Sequence, residues 1–156
     1  MSTKPKIKIK DDAELRAEID HLYAGAEQVH LAQWSLAMAK HILNIADIDY
    51  LAIDEITNGF TVNEMWQESK ARMHDVRQAG FKVHQLARNC GDEIKKAALR
   101  TAGQAIGSGH MRGHAMVASD YAIKTIGLLH PDDMETITSE RIWQLNELKN
   151  ILQSER

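Results

Sequence analysis

No proline interrupts the chain between Pro5 and Pro131. Proline removes a backbone donor and clashes with the preceding turn, so its absence leaves long helices permitted throughout this span. The apolar residues then show which structure is used. From Glu27 to about Ala46 they fall on two adjacent rows, Val29-Ala32-Leu36-Ala39-Leu43-Ala46 and Leu31-Met38-Ile42-Ile45. Two neighbouring rows at helical spacing predict a helix covered on most sides, at the centre of the molecule. Only KIKIK, residues 6–10, alternates like a strand. Nothing else in the chain offers it a partner, so residues 1–10 read as a flexible basic arm and 11–156 as one helical domain.

The remaining boundaries follow from end signals. Asp11 or Asp12 caps the first helix, since a carboxylate there meets free backbone N–H groups. Asn58-Gly59 reads as a turn. Thr61 and Glu64 form an S/T-x-x-E capping box that opens a long helix to about Asn89. Its stripe is Val62, Trp66, Ser69, Met73, Val76, Gly80, Val83, Ala87. Cys90-Gly91 closes it, with Gly91 as a left-handed cap. Asp92 opens the next helix, to about Gly107, and another runs from about Arg112 to Leu129. Pro131, Asp132 and Asp133 start a final one to about Gln153, with Met134, Ile137, Ile142, Leu145, Leu148 and Leu152 as its apolar contacts. The expectation is an all-α, single-domain bundle of about six helices with a tight glycine-rich corner near 107–113.

Composition limits the function. The formal charge is −3, too small for bulk affinity to a polyanion. The four lysines of the arm lack interleaved aromatics and signal nucleic acid only weakly. One cysteine, Cys90, permits no intrachain disulfide, and no apolar run is long enough for a leader or a membrane span. A cytoplasmic protein is the expectation.

The corner, TAGQAIGSGHMRGH at 101–114, invites three chemical readings. A phosphate loop would need a preceding strand and a lysine, and has neither. His110 and His114 are candidate metal ligands, four apart on one helical face, but zinc needs three or four ligands and the H-E-x-x-H pattern is absent. His30, His41, His74, His84 and Asp120 have no spacing that ties them to the pair. The third reading is structural. Ala97, Ala98, Ala102, Gly103, Ala105 and Gly107 make a small-residue surface, and Ala115, Ala118, Ser119 and Ala122 make another, so that two helices can approach closely across the corner. Charge offers a further feature. Residues 42–69 hold six acids and no Lys or Arg, whereas 70–100 hold eight Lys or Arg against three acids. Asp47, Asp49, Asp54 and Glu55, with Tyr50 and Trp66 as anchors, form a candidate partner surface.

Three patches resemble a known family. They are LAQWSLAMAKHIL at 31–43, ITNGFTVNEMWQESKARMHDVRQAGFKVHQLARN at 56–89, and AALRTAGQAIGSGHMRGHAMVASDYAIK at 97–124. In the last, an AGQA helix leads to H-x-x-x-H-A and then Y-A-x-K. The chain resembles the bacterial helical putative immunity protein family. That resemblance implies an all-helical protein that binds and neutralises a cognate toxin, with no catalysis and no cofactor. Trp34, Gln104, His110, His114, Tyr121 and Lys124 match its motif. Gly107 and Gly109 depart from it, standing where alanine- or threonine-like residues are expected. Two other readings stay open: a metal-binding helical enzyme or sensor using His110 and His114, and a homodimer formed through leftover small-residue faces.

Overall fold

A computed structural model describes residues 2–154, and among these there are seven α-helices, one 3-10 turn and no strand. The helices are α1 (Ala13–Gly25), α2 (Gln28–Ile45), α3 (Asp54–Gln67), α4 (Met73–Arg88), α5 (Glu93–Gly107), α6 (His114–Leu129) and α7 (Met134–Ser154). α5 packs against α4 on one side and α6 on the other, and α2 lies across α5 and α6. α7 closes the α2–α6 side and carries α1, while α3 packs against α4.

The end signals at three helices act as the residue types require. The Asp12 carboxylate accepts from Leu15 N at 3.1 Å, Asp92 accepts from Ile94 N and Lys95 N, and Asp133 accepts from Thr136 N and its hydroxyl. α2 buries both predicted rows apart from the half-buried Val29 and the exposed Ile45. The small-residue surfaces of α5 and α6 meet, with Ala98, Ala102, Ala105, Ala115, Ala118 and Ala122 fully buried. Ile142 and Met134, expected as contacts of the last helix, are exposed.

Four expectations are corrected. The helix count is seven, because the predicted Thr61–Asn89 helix is two. The break falls at residues 68–72: Ser69 takes a left-handed φ of 61°, and Asp75 accepts from Arg72 N to begin α4. The Thr61–Glu64 box therefore caps nothing, and both residues lie inside α3. Asn58-Gly59 is also helical. Gly59 is needed for contact, since a methyl there would lie 2.4 Å from Ile106 Cδ1. Gly91 is not a left-handed cap, as no glycine among the described residues has positive φ.

The corner at 108–113 turns without left-handed glycine because side chains satisfy the carbonyls at the end of α5. Asn63 Nδ2 donates to Ile106 O at 2.9 Å, Gln28 Nε2 to Ser108 O at 2.8 Å, and Ser108 Oγ to Ala105 O at 2.6 Å. Gly109 leaves space for Trp66 and Val76, which a methyl would meet at 3.2 and 2.9 Å.

A buried polar network ties the chain's two ends. Arg141, fully buried, donates to Asp11 at 2.7 and 2.8 Å and to Asp120 at 2.8 Å. Arg16 donates twice to Asp120 at 3.0 Å and reaches Thr3 O and Oγ1. Thr3 in turn donates from its N and Oγ1 to the buried Asp20. Residues 2–10 thus form no helix or strand, yet meet the body at Thr3.

Candidate functional site

Two places merit description: a cleft over α5, and the loop between α2 and α3. In the cleft, Gly103 and Gly107 lie one turn apart on α5, and each seats an imidazole. A methyl at Gly103 would lie 2.6 Å from the His84 ring, which arrives from α4. A methyl at Gly107 would lie 3.2 Å from the His114 ring, which arrives from α6. Gln104, between the glycines, bridges the two rings. Its Oε1 is 2.7 Å from His114 Nδ1 and its Nε2 is 3.4 Å from His84 Nε2. Arg100 reaches His84 Nδ1 at 3.3 Å. His110 lies beside His114, ring centroids 6.0 Å apart, and its Nδ1 is buried with no protein partner. Arg77 and Phe81 form the rim, the guanidinium 4.9 Å from the ring centre.

Burial dominates the electrostatics here. Loss of water, followed by the charge of Arg100 and the neighbouring His114 and Arg88, lowers the His84 pKa to about 4. His114 is lowered for the same main reason, helped by His110 and Lys6. Both rings are therefore neutral at physiological pH. Nδ1 of His114 is engaged by Gln104, and the described residues hold no group of three or more His, Cys, Asp or Glu placed for a metal ion.

The α2–α3 loop has a different character. Asp47, at a left-handed φ of 59°, and Asp49 lead into a 3-10 turn, Tyr50–Ala52, and Asp54 and Glu55 open α3. Leu51 at the tip is 75% exposed, the most exposed large apolar side chain among the described residues. Among those residues no ion pair reaches Asp47, Asp49, Asp54 or Glu55. Tyr50 leans on Phe60, edge to face, with ring centroids 5.7 Å apart.

The structure brings some sequence-derived candidates together and separates others. Gln104, His110 and His114 share the cleft. Tyr121 and Lys124 pair further along α6, the ammonium 5.9 Å from the ring centre. Trp34 is fully buried and its Nε1 donates to Gln144 O at 3.0 Å, a packing role. The four acids and Tyr50 are neighbours in one loop. Trp66 is not with them: it lies about 18 Å further along α3 by helix rise, against the corner at Gly109. Sequence reasoning named His84 only as one of several possible partners of the histidine pair, with no spacing to place it, and gave no place to Arg100. The available signal was Gly103, a glycine inside a helix, which implies that something bulky sits on it.

No curated protein and no solved structure matches the chain. A family model does, described as an Imm-5 like putative immunity protein, over residues 21–151. The match spans α2 to α6 whole, the end of α1 and most of α7, including the cleft, the corner and the acidic loop; the chain belongs to the Imm-5 like putative immunity protein family.

Proposed function

We propose that this protein is a non-catalytic binder that neutralises a bacterial toxin by direct contact, and that the loop from Ile45 to Glu55 is its contact face. The observation that carries the proposal is the company Leu51 keeps. An exposed leucine tip stands among four carboxylates that form no ion pair among the described residues. Uncompensated charge of one sign attracts a partner of the other and speeds encounter, while the apolar tip and Tyr50 supply area that can be fully desolvated at the centre of a contact. The target that fits is a basic protein surface with an apolar pocket, as on a toxin that acts on a polyanion. The left-handed Asp47 ends α2, with Ile48 N donating to Leu43 O at 2.9 Å, and so fixes the direction in which the loop leaves the helix. No helix among the described residues is long and apolar enough to cross a membrane, so a membrane target finds no support there.

Co-expression with candidate toxins from the neighbouring genes tests the reading. Wild-type protein is expected to restore growth and to co-purify with the toxin. A variant carrying Asp47→Asn, Asp49→Asn, Asp54→Asn and Glu55→Gln is expected to keep its helical spectrum and lose both. Full rescue by that variant, or no complex with the wild type, would refute it.

A further inference from the structure

The hydrogen bonds of the cleft have a direction, and the direction is set by Arg100. A guanidinium can only donate, so His84 Nδ1, 3.3 Å from Arg100 Nη1, must accept. A neutral imidazole carries one proton, which is then on Nε2. Facing it at 3.4 Å is Gln104 Nε2, also a donor. Turning the Gln104 amide by half a revolution exchanges its oxygen and nitrogen and removes the conflict, as amide orientation is decided by the network around it. His84 Nε2 then donates to the Gln104 oxygen, and the Gln104 nitrogen donates to His114 Nδ1. His114 is left with its proton on Nε2, at the ring edge that lies over Gly107. The series begins at a donor that cannot accept and ends in an N–H that has no acceptor among the described residues.

His114 lines, with Arg77 and His110, a cavity of about 40 Å³. The volume holds about three water-sized groups. No lining residue is acidic, and among the described residues no ion pair neutralises Arg77, Arg88 or Arg100. His110 adds a buried Nδ1 with no partner. An imidazole donor, a guanidinium at the mouth and room for three heavy atoms describe one ligand chemistry. We infer that the cleft between α4, α5 and α6 is a binding site for a carboxylate group. The carboxylate accepts from His114 Nε2 and pairs with Arg77, while Phe81, 48% exposed at the rim, covers whatever carries it. The source is either a free small carboxylate or an acidic side chain of a partner, and the site is separate from the acidic loop.

Long-range proton–nitrogen correlation spectra of the isotopically labelled full-length protein at neutral pH read the tautomers directly. His84 and His114 are both expected to be protonated at Nε2. Sodium acetate, and an end-blocked oligoglutamate peptide, are then titrated separately at constant ionic strength set with sodium chloride. Saturable shifts of His114 Nε2 and the Arg77 side chain with acetate identify a free carboxylate; shifts with the peptide alone identify a partner's acidic segment. Arg77→Gln, an exposed change, is expected to weaken the response about tenfold, in line with loss of one charge-assisted hydrogen bond, and to leave the His84 tautomer unchanged. A His114 proton on Nδ1, no shift with either probe, or an equal response to chloride overturns the assignment.

Discussion

Replacing Gly59 by alanine separates two accounts of the Asn58-Gly59 pair. In a turn the change would act mainly on the backbone; inside α3 it acts through one contact. The new methyl would lie 2.4 Å from Ile106 Cδ1 and 3.2 Å from Cγ1, and Ile106 is fully buried, so its neighbours resist a change of rotamer. Overpacking of this kind costs about 1–3 kcal/mol. Alanine in a helix interior recovers about 0.8–1 kcal/mol of backbone propensity. The single variant is thus expected to lose about 1 kcal/mol. Ile106→Val removes the clashing Cδ1 and alone costs about 0.5–1.5 kcal/mol. In the double variant the alanine methyl occupies the vacated space, so adding Gly59→Ala to Ile106→Val becomes neutral or stabilising. The four proteins form a double-mutant cycle, measured by urea unfolding, with an expected coupling of about 1–3 kcal/mol. Additivity within about 0.5 kcal/mol would refute the claim that Gly59 is there to admit Ile106.

Three further outcomes follow from the buried polar groups. Because the folded pKa of His84 is about 4 and its unfolded value is near 6.5, the unfolded chain binds the proton preferentially between them. His84 stability is therefore full above pH ~6.5 and is lost as pH falls toward ~4, by about 2 kcal/mol once partial solvent access is discounted. Arg100, Arg88 and His114 face the ring and act in the same direction; unfolding curves across this window should be shallower in pH for His84→Gln, and identical slopes would count against the account. Arg141→Met strands the Asp11 carboxylate and leaves Asp120 with Arg16 alone, and is expected to cost about 3 kcal/mol, read as a lowered thermal midpoint; a loss under about 1 kcal/mol would remove the network from the list of major stabilisers. Trp34→Phe removes the second donor to Gln144 O, which keeps its bond within α7, and should cost about 0.5–1.5 kcal/mol for the hydrogen bond in addition to any loss of packing; a measured cost near zero would count against the bond.

What could be read from the sequence was what short-range chemistry decides. Asp12 and Asp92 are caps because a carboxylate beside free N–H groups needs no distant help. α2 and the α5–α6 pair were legible because two apolar rows and two small-residue faces have few other solutions. The break at 68–72 was hidden because the stripe Val62-Trp66-Ser69-Met73-Val76 keeps helical period straight across it, with no Gly or Pro to interrupt. On one rod Trp66 and Val76 would be about 15 Å apart; in the folded chain both press on Gly109, and only that tertiary contact selects the hairpin. The cleft was half legible. Gln104, His110 and His114 lie close in sequence and were singled out together, whereas His84 depends on which helix lands on Gly103, a question of packing order.

The Arg141 network also bears on the order in which the protein can mature. Asp11 and Arg16 leave the ribosome long before their anchor, the Arg141–Asp120 pair, which is complete only when α7 has emerged. Until then α1 has almost no surface to rest on, since its extensive contact is with α7. A single late closing step therefore locks α1 and α7 together, and a nascent chain stalled before residue 141 should leave α1 open to protease.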